Sequence, residues 1–150
     1  MSAIMFDVDH FKRINDTHGH EIGDQVLAAV AAEAKLIDGK AGRLGGEEFC
    51  ILISSETADA LECASSLQQS IRALRFGRDD KAFAVTCSFG IAEWEADDAI
   101  DRMLRRADMA MYEAKKTGRD RIVVSDTFAL TKSHDDWRGA ARLGKRIRAS

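Results

Sequence analysis

The stretch Ser2-Ala3-Ile4-Met5-Phe6-Asp7-Val8-Asp9-His10-Phe11-Lys12 sets the frame for the rest of the chain. Residues 2–6 are short, apolar and uninterrupted, which predicts a buried strand. Asp7 and Asp9 follow at once, so acidic groups stand where that strand ends. A helical period begins near Asp24 and puts Val26, Leu27, Val30, Ala31 and Ala34 on one face. Residues 40–44 and 48–53 flank Gly45-Gly46, two apolar runs around paired glycines that predict a β-hairpin. Residues 58–75 return to a helical pattern through Leu61, Ala64, Ile71 and Leu74. Residues 83–88 alternate, with Phe83, Val85 and Cys87 facing one way, and Gly90 interrupts before Ile91. Ile100, Met103, Leu104, Ala107, Met111 and Ala114 form the clearest helical stripe, over 99–116, with Gly118 as its stop. Ile122 to Val124 reads as a last short strand. The order βα, ββ, α, β, α, β predicts an α+β sandwich, with helices covering a central, mainly antiparallel sheet.

One domain fits 150 residues, and a chain of this length can bury a real core without staples. With 22 basic and 25 acidic side chains the net charge is -3, which gives no support to a nucleic-acid partner. Cys50, Cys63 and Cys87 are odd in number and unpatterned, so reduced thiols in a cytoplasmic protein are expected. No stretch approaches a membrane span, and Met1 to Phe6 lack the basic region of a signal peptide. After residue 125 the composition shifts. Residues 126–150 carry Lys132, Arg138, Arg142, Lys145, Arg146 and Arg148 and read as a basic tail, either disordered or a weak amphipathic helix around Trp137.

Three clusters carry chemistry. Asp7 ends a strand and Glu47 sits at a glycine turn. If their strands are neighbours, two carboxylates meet at one sheet edge, and a cation such as magnesium would relieve their repulsion. Such an arrangement suits phosphoryl or nucleotidyl transfer. Glu47 and Glu48 would face opposite ways in a regular strand, so both reach one site only if the turn is irregular. Lys115 and Arg119, four apart near a helix end, would share a face and grip a triphosphate. The plainer readings are a turn aspartate, solvated hairpin acids and cations offsetting a helix dipole. Asn15 and Asp24 could read a guanine edge, or be a turn residue and a helix N-cap. His10, His18 and His20 have spacing too irregular for a zinc site.

Taken together, these segments resemble the GGDEF family. The run from Phe6 to His20 resembles its first signature, and Gly45-Gly46-Glu47-Glu48-Phe49 is an accepted form of the motif that names it. Thr86 to Ala92 resembles its later strand, and Ala107 to Asp120 its last helix and exit. The resemblance covers about residues 3–125 and makes the GGDEF domain residues 1–125. It implies a ferredoxin-like fold akin to nucleotide cyclases and polymerase palms. It implies a diguanylate cyclase, a nucleotidyltransferase that joins two GTP into cyclic di-GMP with release of two pyrophosphates, at the interface between two copies of the domain. It implies Asp7, Glu47 and the Val8 carbonyl as ligands of Mg2+, two ions per site with Mn2+ as a substitute. Glu47 and Glu48 are implied to be catalytic. Phe11 (through its backbone), Lys12, Lys115 and Arg119 match phosphate contacts, and Asn15 and Asp24 match the guanine readers.

The match departs from the family in two places. The family's usual Asp-x-Leu-Thr-Gly-Leu-x-Asn-Arg segment and its helix would precede the first strand, where Met1 stands. Their loss would bare apolar sheet surface, which the Trp137 segment could cover. The alternative reading is therefore a catalytically inactive GGDEF-like module that binds GTP or a protein partner, or a fragment once driven by an upstream sensory domain. The family's inhibitory Arg-x-x-Asp is absent too. Leu36-Ile37-Asp38-Gly39 stands there without an arginine, so no product inhibition through that site is expected.

Overall fold

The apolar opening of the chain forms β1 (Ser2–Val8), the central strand of a five-stranded sheet in the computed structural model, which describes residues 1–96 and 99–125. All seven of its residues are buried, which is why its pattern is a continuous apolar run and not an alternation. β2 (Lys40–Gly45) and β3 (Glu48–Ile53) form the expected hairpin. β4 (Cys87–Glu93) lies on the other side of β1, and β5 (Ile122–Val124) closes the edge. The order is β2-β3-β1-β4-β5, and every pairing is antiparallel except β4 with β5.

Period two sorts β1 between two layers. Ile4, Phe6 and Val8 face the larger one, with α1 (Phe11–His18), α2 (His20–Ala34) and α3 (Thr57–Ala73). There the Phe6 ring stacks between Phe49 and Phe89, at centroid distances of 5.2 and 5.1 Å. Each fully buried side chain of this size contributes roughly 1.5–3 kcal/mol relative to exposure. Ala3, Met5 and Asp7 face the other layer, under α4 (Ile100–Lys116), where Met103, Leu104, Ala107 and Met111 fill the space. α4 lies over β4 and β1, and on the β3 side of this face Leu44 and Leu52 are only partly buried.

Four expectations need correction. The run 83–88 is not a strand. Phe83 makes one bridge to Phe76, and β4 begins at Cys87 and passes straight through Gly90. Gly90 is a contact and not an interruption. A Cβ there would lie 2.0 Å from the Ala107 carbonyl oxygen and 2.2 Å from the Met111 nitrogen, so its absence lets the α4 backbone rest on the sheet. The alternation of Phe83, Val85 and Cys87 is right about the face, which all three share with Phe89 and Ile91. The helical period also starts before Asp24. α2 begins at His20 behind Gly19, so Asp24 is an interior helix residue and no N-cap. α1 was not expected as an element, because Ile14 is its one buried residue and eight residues are too few to show a stripe. Finally, Lys115 and Arg119 do not share a helix face. α4 ends at Lys116, and the Arg119 N–H donates to the Ala114 carbonyl across Gly118, a Schellman closure. The basic segment 126–150 lies outside the described residues, and so does any cover that Trp137 would give the sheet.

Candidate active site

The acidic centre follows from strand register. In the β1–β3 ladder Asp7 stands opposite Glu48, on the face that Met5 and Cys50 share. The hairpin register shifts between Arg43 and Gly45, which leaves Glu47 in the turn and not in the strand alternation. The Val8 N–H donates to the Glu47 carbonyl at 3.3 Å, which ties that turn to the end of β1. The irregular turn is what lets both glutamates bear on Asp7. Asp7 is only 6% exposed, and burial pushes its carboxyl up from the ordinary 3.8 to about 6, with Glu47 and Glu48 adding to the rise and Lys115 opposing it.

Lys115 reaches Asp7 because of Gly90. α4 touches the sheet backbone at Met111, and one turn later the Lys115 Nζ sits 2.8 Å from Asp7 Oδ2. The ammonium is partly exposed. Among the described residues no three His, Cys, Asp or Glu side chains converge as a metal cage. The donor set is nevertheless suited to a hard divalent cation. It offers a buried carboxylate, a neighbouring glutamate and the end of a strand. Such an ion takes few protein carboxylates and completes its shell with water or phosphate oxygens. Asp7, Glu47 and the Val8 carbonyl are the groups that would hold it.

Phe11 and Lys12 open α1 directly after this edge. His10 turns the chain into the helix with φ 56° and gives it no side-chain cap. The first N–H groups of α1 therefore lack a side-chain acceptor, which suits an anion. One turn on, Asn15 packs against α2. A Cβ at Gly23 would lie 1.9 Å from Asn15 Oδ1, and that oxygen is buried without a hydrogen-bond partner. Asp24, the next residue, is exposed. The structure thus packs Asn15 against Gly23, the residue before Asp24. Arg119 stands in the turn after α4, exposed, with φ 62°.

The sequence reading missed Asp9. It is 5% exposed and accepts from Ser88 Oγ (2.6 Å), Thr86 Oγ1 (2.7 Å) and the Asp120 N–H (3.1 Å). Its place two residues after Asp7 was the one available signal. Its partners are distant in the chain and could not be read from spacing.

Similarity to known proteins agrees with this geometry. The family model described as diguanylate cyclase, GGDEF domain, matches residues 1–121. The diguanylate cyclase DgcP of Pseudomonas aeruginosa is 39% identical over 125 residues, 81% of this chain and 19% of that protein. Diguanylate cyclase A of Treponema denticola is 37% identical over 130 residues, 83% of this chain and 35% of that protein. The chain therefore spans well under half the length of these relatives. Among solved structures, the GGDEF domain of DgcB from Caulobacter crescentus in complex with c-di-GMP superposes with a TM-score of 0.77 at 30% identity, over 83% of this chain and 77% of that one. The active GGEEF domain of a diguanylate cyclase from Vibrio cholerae gives 0.76 at 32% identity, over 83% and 82%. Sequence motifs, sheet order and these matches lead to one assignment: the chain belongs to the GGDEF domain family.

Proposed function

We propose that this domain is a diguanylate cyclase, which condenses two GTP into cyclic di-GMP and releases two pyrophosphates where two copies of the domain meet. The observation that carries the reading is the meeting of Asp7, Glu47 and Glu48 at one sheet edge, beside the uncapped start of α1 and the cations Lys115 and Arg119. Relatives named diguanylate cyclase and structures of GGDEF domains support it.

The roles follow from position. The Phe11 N–H, Lys12, Lys115 and Arg119 neutralise and orient the triphosphate. Asn15 and Asp24 read the guanine edge, with the Asp24 carboxylate accepting from the guanine donors. Asp7, Glu47 and the Val8 carbonyl would hold Mg2+, two ions per site with Mn2+ as a substitute, which would supply charge stabilisation at the reacting phosphate. Glu47 takes the proton of the 3′-hydroxyl, and Glu48 adds negative potential at the same edge. Lys115, partly exposed beside Asp7, is placed to reach the phosphates. Residues 1–125 form the domain, and 126–150 a basic tail. Among the described residues no helix is long and apolar enough to cross a membrane, and we place the domain's work in the cytoplasm, where GTP is held.

The deciding experiment is incubation of the purified chain with GTP and magnesium, followed by chromatography. Cyclic di-GMP is expected from the wild type and none from Glu47→Gln. Product from that variant removes Glu47 from the chemistry. A folded wild type that binds GTP and makes nothing favours the inactive binding module instead.

A further inference from the structure

Three non-glycine residues among those described have positive φ, His10, Arg119 and Asp120, and all three border the candidate site. Arg119 and Asp120 are consecutive, at 62° and 46°. A left-handed aspartate is tolerated, but a left-handed arginine beside it persists only where its surroundings over-determine it.

Those surroundings are explicit. The Arg119 N–H is fixed on the Ala114 carbonyl at 2.9 Å, and the Arg119 carbonyl accepts from Arg121 Nε at 3.0 Å. From inside the fold, Asp9 Oδ2 accepts the Asp120 N–H. From outside, Arg72 on α3 donates Nε to Asp120 Oδ1 at 2.8 Å and Nη2 to the Asp120 carbonyl at 3.2 Å, and Gln68 adds a 3.3 Å bond to the same carboxylate. The Arg119 guanidinium itself is exposed and has no partner among the described residues. A backbone held this firmly under a free guanidinium presents that group in one direction. Three donors occupy most of the roughly four acceptor sites of the Asp9 carboxylate and commit it to holding its neighbours.

We propose that Asp9 is a positioning residue, which holds the Arg119–Asp120 turn left-handed through the Asp120 N–H and so aims Arg119 at the triphosphate, with Arg72 as the outer clamp. The inference rests on the reading of Arg119 as a phosphate contact. It assigns the two aspartates of the first signature separate tasks, Asp7 at the reacting centre and Asp9 beneath the turn that grips the substrate.

The test uses the full chain with magnesium and 3′-deoxy-GTP, which binds but lacks the attacking hydroxyl. Asp9→Ala is expected to weaken binding by about tenfold or more, as misplacement of a binding group does. The loss should be about that of Arg119→Ala, and the double variant should bind no more weakly than Arg119→Ala alone. Asp9→Asn keeps an acceptor for the Asp120 N–H and should recover most of the affinity. Arg72→Ala, at a half-exposed site, should give a smaller loss that also vanishes in the Arg119→Ala background. Additive losses, or full affinity in Asp9→Ala, overturn the proposal. Hydrogen exchange separates it from its premise. If the Asp120 amide stays protected in Asp9→Ala, Asp9 does not hold the turn, whatever the nucleotide does. If the wild type binds no guanosine triphosphate, the cyclase reading fails, while loss of that protection still supports the hold.

Discussion

The two ends of β1 treat charge in opposite ways. At the Ser2 end the polar groups near the strand are largely paired within the protein, the buried Arg106 Nε excepted. The Ser2 hydroxyl donates to the Ser55 carbonyl at 2.8 Å. Glu93 accepts both the backbone N–H and the hydroxyl of Thr57, which caps α3 from a neighbouring strand. Arg106, 2% exposed, pairs with Glu95 and donates to the Glu93 carbonyl at 2.7 Å. At the Asp7 end a buried carboxylate lies within electrostatic reach of Glu47 and Glu48, with the partly exposed Lys115 ammonium on it. The first end is built for stability. The second gathers charged groups around a buried carboxylate at a strand end, an arrangement that suits binding.

The comparison can be broken most directly by Arg106→Ala. Removing a buried, paired guanidinium should cost about 3 kcal/mol or more of stability. Chemical denaturation should show this, while the folded fraction keeps its GTP affinity. An effect on affinity larger than on stability would erase the division between the ends.

Asp7→Asn should act in the opposite direction. In chelator at pH 7.5 it should stabilise the domain by about 1–2 kcal/mol, a few degrees in melting temperature, and abolish product. The sign follows from linkage. With a folded pKa near 6 against 3.8, the native state holds a proton that the unfolded chain has lost. Metal-free wild type should therefore lose stability as pH rises from about 4 to about 6, on the order of 3 kcal/mol in all, and then level off. A wild type equally stable at pH 4.5 and 7 would show that burial does not hold a proton on Asp7.

Gly23→Ala sharpens the nucleotide side. The added methyl meets Asn15 Oδ1 and must push that side chain aside, so GTP affinity should fall by about tenfold with a lesser change in stability. Thr57→Ala is the mildest case. Loss of this link to the start of α3 should cost about 1 kcal/mol. Glu93 has its pKa lowered by the Thr57 hydroxyl and N–H, so its contribution is present above pH 4.5 and fades as pH falls. In Thr57→Ala that acid-side loss should shrink, which a pH series of melting temperatures measures.

Legibility in the sequence followed the range of the interactions. The β1 run, the hairpin around Gly45-Gly46 and the stripe of α4 were readable, because each is set by neighbours within a few residues. The acidic edge was readable as a conditional, since Asp7 and Glu47 meet only if β1 and β3 pair. α1 was hidden by its short, polar face. The extent of β4 was hidden because a glycine that admits a helix backbone looks the same as one that ends a strand. The Lys115–Arg119 pair was misjudged because Gly118 stops the helix between them. The role of Asp9 was hidden for a deeper reason: its three donors, two hydroxyls and one backbone N–H, lie 77, 79 and 111 residues away.

The Val8–Glu47 backbone bond, modest at 3.3 Å, has a consequence for how this centre can change over time. Its two sides are joined by the ladder itself, and the segment between them loops away and returns. Insertions or deletions in the turn at residues 35–39 should leave the carboxylate spacing untouched, whereas one residue added inside the hairpin tip would alter it. Length variation between homologous chains should therefore gather in the first place and be nearly excluded from the second.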